Sequence, residues 1–408
     1  MGTPLLILGA GPVGLLAANL AAAAGFSVTI LEARNGPRLT PRALGVAPPS
    51  LSVLRTLTSS SGRLDERLVA AGITITEARV WGTRRYLGSL DLTQLPEPHP
   101  FILSVSQVLT EEILRSALAD HTGQVELRYG ARVVDIREDG DLITARMEDG
   151  STAAASFALG CDGPTGISRG LTGVAPPKAL GRRFAMLDLP DDTGWENRAH
   201  LYFTRSGSLE SFPFGAERAP KMRRRWIAEI KGAEWDQPND SWIPAAVAEA
   251  VSERAGLQVE TGQALWSSRF EPRQTIAKRY AIGRLFLCGD AAHEFSPIGG
   301  QGMNTGFGDA AAAVHLLRRV VRGHLTTAAA GRVYQSARRP AAKAAARRAR
   351  VSMWIGTRSG LITAPLRDTL VSWLLGGPLR SRLPAHFAML TLPGSAAPDL
   401  PQFQPSQT

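Results

Sequence analysis

Leu5-Leu6-Ile7-Leu8-Gly9-Ala10-Gly11-Pro12-Val13-Gly14 stands near the start of the chain, and the reading of this stretch decides the fold. Four consecutive apolar residues suit a parallel strand buried on both faces. Gly9-x-Gly11-x-x-Gly14 then reads as a tight turn, and Pro12 to Ala24, rich in Ala and Leu, as a helix stopped by Gly25. Ser27 to Leu31 is a second strand, with Glu32 and Ala33 at its end. In such a unit Gly9 permits the turn, Gly11 lets the backbone approach a pyrophosphate and Gly14 lets the helix pack closely. The helix start at Pro12 and Val13 offers N–H groups and a positive dipole to phosphates. Glu32 falls where an acid accepts hydrogen bonds from an adenosine ribose. The apolar run from Leu5 to Leu31 has the length of a membrane span, but glycines 9, 11, 14 and 25 and Asn19 break it. Strand, helix and strand account for it better.

A second stretch carries more chemistry. The buried strand Leu285-Phe286-Leu287-Cys288 leads into Gly289-Asp290-Ala291-Ala292-His293, then Pro297-Ile298-Gly299-Gly300-Gln301-Gly302-Met303-Asn304. An Ala-rich helix is expected from about Gly302 to Arg322. Asp290 at the strand end suits a ribityl hydroxyl, and the glycines let backbone lie against a flat ring. The helix start stabilises negative charge there, such as that of a reduced flavin.

These residues resemble the aromatic-hydroxylase family of FAD-dependent flavoprotein monooxygenases, the fold group of para-hydroxybenzoate hydroxylase. The resemblance covers residues 4 to about 345 and implies FAD as cofactor, with NADPH or NADH as a transient reductant. It places Arg42, in Arg42-Ala43-Leu44-Gly45, beside the isoalloxazine and pyrophosphate. It assigns Gln107 to the flavin, the backbone at Val133 to the adenine, and Asp162 of Gly160-Cys161-Asp162-Gly163 to FAD. The family usually has Ser where Gly166 stands, which puts the nicotinamide contact there in question. Pro297 is expected to present its carbonyl near the reactive flavin edge, beside Asp290, Gly300, Gly302, Met303 and Asn304. Pro297 and Arg42 are the expected catalytic positions. His293 reads as a local packing and hydrogen-bonding residue.

The expected fold class is α/β, a Rossmann-like FAD-binding domain with an inserted mixed β-sheet substrate domain and C-terminal helices. The FAD-binding domain is expected from residues 1–75, 100–170 and 277–345, and the substrate domain from 76–99 and 171–276. Helices are expected over 346–392 and a disordered tail over 393–408. Tyr202, Phe203, Phe212, Phe214 and Trp226 are the expected lining of the substrate pocket, with an ordinary sheet core as the competing reading. Arg182 and Arg183 read as a solvated pair. The 346–392 segment mixes Arg with Trp and Leu. Helices capping the substrate domain are its preferred reading, and peripheral membrane contact is the alternative.

The bulk numbers fit a soluble cytoplasmic protein. Of 408 residues 44% are hydrophobic and 20% charged, and no basic leader precedes the first apolar run. Cys161 and Cys288 read as small core residues rather than a disulfide. Between Gly331 and Arg382 eleven basic residues face one acid, Asp368, a difference equal to the whole net charge of +10. A solvated helix surface is the expected reading, since no nucleic-acid motif accompanies the run. The seven His show no metal-ligand spacing.

With one nucleotide fingerprint, the expected enzyme is a single-component NAD(P)H-dependent monooxygenase. It would hydroxylate or epoxidise an apolar aromatic or polycyclic small molecule with O2, through a flavin hydroperoxide. A reductase or dehydrogenase of a prenyl or quinone-like substrate is one rival, and a non-catalytic FAD-binding partner protein is another. A halogenase would need a Trp missing ahead of Trp242-Ile243-Pro244. No general base stands out, which favours an electron-rich ring or alkene that needs no deprotonation. Oligomeric state is left open.

Overall fold

The computed structural model describes residues 2–40, 43–83, 85–215 and 222–393. Its α/β fold rests on two large sheets. The first has the strand order Val125–Arg128, Phe26–Leu31, Thr3–Leu8, Phe157–Gly160, Leu285–Leu287 and Ala281–Ile282. All its pairings are parallel except the last. Parallel strands covered on both faces need apolar residues at successive positions. Leu5 to Leu8, Phe157 to Leu159 and Leu285 to Leu287 meet that need and are buried.

The helices Pro12–Ala23 and Gln301–Val321 lie against each other above this sheet. They approach closely because glycines stand at the contacts. A Cβ on Gly14 would strike the Gly9 carbonyl oxygen. One on Gly306 would lie 2.6 Å from Val13 Cγ2 and 2.9 Å from the Gly289 Cα. The helices and strands read from the sequence for these two motifs occur here within two residues of the expected ends, as end fraying leads one to expect.

The second sheet has seven strands in the order Trp266–Phe270, Phe184–Pro190, Arg223–Glu229, Ser208–Phe214, Arg198–Phe203, Glu77–Gly82 and Arg85–Asp91. It is antiparallel except where Arg198–Phe203 meets Glu77–Gly82. Side chains alternate between its faces. One face carries Leu187, Tyr202, Leu209, Trp226 and Ala228 into a cluster with Ile243, Val247 and Val251 of the helix Ile243–Ala255. The other face looks into a large cavity.

Three helices follow, Thr327–Gly356, Thr363–Gly376 and Leu383–Phe387. Thr363–Gly376 packs on the edge strand Arg85–Asp91, where the Gly88 backbone leaves room for Leu375. No described helix is long and apolar enough to cross a membrane. The basic stretch is not wholly a solvated surface. Arg338 is buried and donates through Nε to Asp309 Oδ1 at 2.7 Å, and buried Arg367 pairs with Asp368 at 2.7 Å. Trp354, Leu361, Ile362, Leu366 and Trp373 are exposed. Residues 394–408, where the tail is expected, lie outside the described residues. Both cysteines are free thiols, Cys288 buried and Cys161 partly so.

Candidate cofactor and substrate site

A cavity of about 1710 Å³ runs from the turn at Gly9 to Val13, past the turn at Pro297 to Met303, onto the inner face of the seven-stranded sheet. At its first end the chain leaves the strand Thr3–Leu8 through Gly9, whose φ of +98° favours glycine. A Cβ on Gly9 would lie 2.5 Å from the Cys161 carbonyl oxygen, so the turn also packs tightly behind. In front the space is open: Cβ atoms on Gly11, Gly163 or Gly302 would meet nothing within 4 Å. Pro12, Val13, Ala33, Gln107, Val133, Asp162, Asp290, Pro297, Gly300 and Met303 also line the cavity. Gly14 does not, because it faces Gly9 under the helix.

Glu32 lines the cavity, yet both its oxygens are already engaged. Oε2 accepts from the Ala10 amide at 2.7 Å, and Oε1 from the Arg34 amide at 2.8 Å and Nε at 3.0 Å. Burial pushes its pKa up, but the Arg34 side chain and the two amides outweigh that and hold it below the ordinary range. The sequence reading missed Arg34, which shares this end of the cavity. Its Nη1 is buried without a partner.

Other expected residues also turn out to be partly occupied. Asp162 accepts from the Ser168 amide at 2.9 Å and from the Ser168 hydroxyl. At Gly166 a Cβ would collide with the Asp162 carboxylate as it lies here. Gln107 accepts from the Ala43 amide at 3.2 Å and donates to Glu111 at 2.7 Å. Burial raises the pKa of Glu111, another cavity residue that sequence reasoning passed over.

Asn304 is expected among the flavin contacts, but its side chain works inside the protein. Its amide donates to the Gly45 and Gly300 carbonyls at 3.0 and 2.6 Å, and its oxygen accepts from the Ala47 amide and Ser50 hydroxyl. It thereby clamps the loop at 45–47 to the turn that precedes the helix. Arg42 lies outside the described residues. His293 is fully buried and bonded through Nε2 to Asp309 at 2.7 Å, and Asp309 also holds Arg338 and the Gly289 amide. That cluster pins the motif from behind.

The aromatic middle segment divides by strand alternation. Phe203 and Phe212 line the cavity, with Leu201, Met186 and Ile227 beside them. Tyr202 and Trp226 do not, because their positions point to the other face, against the helix Ile243–Ala255. Phe214 is also off the lining, buried where the Arg225 guanidinium lies 5.6 Å from its ring. Arg182 and Arg183 both keep solvent-exposed side chains, and Arg182 also pairs with buried Glu229 at 3.0 Å.

Two charged residues on the cavity face were not among the expected site residues. Arg225 meets Asp188 through two 2.7 Å hydrogen bonds and stacks 4.7 Å from the Trp266 ring centroid. Glu210 is 7% exposed, and burial pushes its carboxyl up to about 7. Period-two spacing with Phe212 was the one clue that it faces the same way.

These residues fit FAD. The glycine cradles leave backbone open to a diphosphate and a flat ring. Arg34 Nη1 and Ser104 Oγ, buried on cavity-lining residues, have no protein partner and suit polar ligand atoms.

The family model described as FAD binding domain matches residues 2–349. The chain is 30% identical over 406 residues to a 6-methylpretetramide 4-monooxygenase of Streptomyces rimosus, covering 95% of this chain and 70% of that protein. It is 30% identical over 308 residues to a rifampicin monooxygenase of Streptomyces venezuelae, covering 75% of this chain but 62% of that protein. Among solved structures, p-nitrophenol 4-monooxygenase from Pseudomonas putida DLL-E4 shares the fold with a TM-score of 0.80. Its identity is 18%, over 97% of this chain and 98% of that one. With a glycine cradle at each turn and a matching model over most of its length, the chain belongs to the FAD-dependent aromatic-hydroxylase family of flavoprotein monooxygenases.

Proposed function

We propose that the chain is a single-component monooxygenase that uses NADPH or NADH and O2 to oxygenate an apolar polycyclic aromatic molecule. One observation carries this reading: the volume beside the Pro297–Met303 turn continues without a break onto an apolar sheet face. When bound, FAD supplies hydride acceptance from the nicotinamide and activation of O2. The protein's own task is placement and dryness. The turn at Gly9 to Val13 holds the diphosphate, and Asp162 and Asp290 hold polar groups of the cofactor. Pro297, Gly300 and Gly302 let backbone lie along the flavin. Leu201, Phe203, Phe212 and Ile227 keep water off the substrate ring, which protects the reactive oxygen species from side reactions.

In this division residues 1–75, 100–170 and 277–345 form the cofactor-binding part, and 76–99 and 171–276 the substrate part. The polycyclic class is drawn from the substrates for which the relatives are named, of which the chain spans 70% and 62% in the two cases above. The test is direct. FAD-loaded protein should consume NAD(P)H faster when anhydrotetracycline is added, and the product should carry one atom from labelled O2. Product that is reduced or dehydrogenated and free of label would instead establish a reductase.

A further inference from the structure

Across the cavity face of the seven-stranded sheet, one acid stands in an apolar row. Glu210 sits on the strand Ser208–Phe214, directly between Leu201 and Ile227 of the flanking strands. Among the described residues its carboxyl has no hydrogen-bond or salt-bridge partner, and it lines the cavity. Burying a carboxyl this way is unfavourable unless something pairs with it. A polar group from within the cavity is what the geometry lacks.

We propose that Glu210 receives the phenolic hydroxyl of the substrate and accepts its proton. The proposal rests on the monooxygenase reading above and narrows the substrate to a polycyclic phenol. It also replaces the expectation of a substrate that needs no deprotonation. The substrate O–H bond breaks and a Glu210 O–H bond forms, while the electron pair stays on the phenolate oxygen. That pair raises electron density at the ring carbons ortho and para to it, where oxygen is inserted. Once the new C–O bond exists, the attacked carbon releases its proton to solvent, and the electron pair of that C–H bond restores the aromatic ring. The phenolic oxygen then recovers the proton held by Glu210, which ends as a carboxylate.

The neighbouring charges leave this role to Glu210. On the adjoining strand Arg225 is committed to Asp188, and Glu229 accepts from Arg182 and the Ser208 amide. Arg223 stands at the far end of that strand, paired in register with Phe214. Arg224, Arg198 and His200 occupy the alternate, opposite-face positions, and Glu249, Glu253 and Arg254 belong to the helix on that side. Arg347, Arg348 and His386 reach the cavity from the C-terminal helices. Burial, with the Arg348 guanidinium beside it, lowers the pKa of His386 from its ordinary value.

The experiment uses FAD-loaded protein with β-naphthol and its methyl ether, binding being read by equilibrium dialysis and by the naphtholate absorbance band. At a pH above that of Glu210, wild type should prefer the phenol by about tenfold or more, the worth of a hydrogen bond to a charged group. The preference should shrink as pH falls through about 7. Glu210→Gln should lose both the preference and its pH step while still taking up FAD, and Glu210→Asp should recover part of each. If Glu210→Gln keeps the preference and its pH step, the assignment to Glu210 is wrong although the oxygenase reading stands. Should wild type bind both compounds equally, with neither hastening NAD(P)H oxidation, both the assignment and the oxygenase reading fail.

Discussion

Glu210 has apolar neighbours on both adjoining strands, and that placement has a cost visible in stability alone. Its folded pKa is raised from 4.5 to about 7, so the folded state holds the proton more tightly than the unfolded chain does. The stability this gives is complete below the unfolded value and is lost as pH rises through the folded one. Since each pKa unit is worth about 1.4 kcal/mol, Glu210→Gln should be more stable than wild type by about 3 kcal/mol in mildly alkaline buffer. The two proteins should unfold alike well below pH 4.5. Urea unfolding at several pH values checks this, and a pH-independent difference would contradict it. A residue that weakens the fold in this way is one the sequence cannot flag, because a single Glu in a strand looks like any solvent-facing acid. Arg225 was equally hidden, since its partner Asp188 lies 37 residues away.

At the scale of elements, the two glycine turns were legible because their glycines answer local demands that no other residue meets. Gly9 has positive φ, Gly14 has no room for a Cβ, and Gly11 and Gly302 face open volume. The helix ends followed from the same signals. What the sequence left open was which way each strand faces. Ser208–Phe214 and Arg223–Glu229 are buried along nearly their whole length, so no polar–apolar alternation marks the cavity side. Tyr202 and Trp226 were therefore grouped with Phe203 and Phe212, although they pack against the helix Ile243–Ala255. The difference is measurable. Trp226→Ala removes a fully buried side chain and should destabilise the protein by about 3–5 kcal/mol in denaturant unfolding. Phe212→Ala opens space already continuous with the cavity, so it should leave stability closer to wild type and weaken naphthol binding instead. Equal losses of stability in the two variants would show that the faces are not so divided.

For the molecule as a whole, the cavity separates the two sheets, so the cofactor should act as an internal brace. A ligand present at a hundred times its Kd that binds only the folded state adds about 2.7 kcal/mol. Saturating FAD should accordingly raise the melting temperature of the apoprotein by several degrees, read by calorimetry, and no shift would argue against the cradle at Gly9 to Val13. The alternation of the seven-stranded sheet has a further consequence for how such a protein can diversify. Positions 201, 203, 210, 212 and 227 line the cavity, whereas 202, 209, 226 and 228 belong to the packed side. Mutational libraries confined to the first set should yield mostly folded variants with altered ligand preference, and libraries in the second should yield mostly insoluble ones. Adaptation to a new ring system is thus open to neutral drift along every other residue of each strand, with the remaining half held constant by the core.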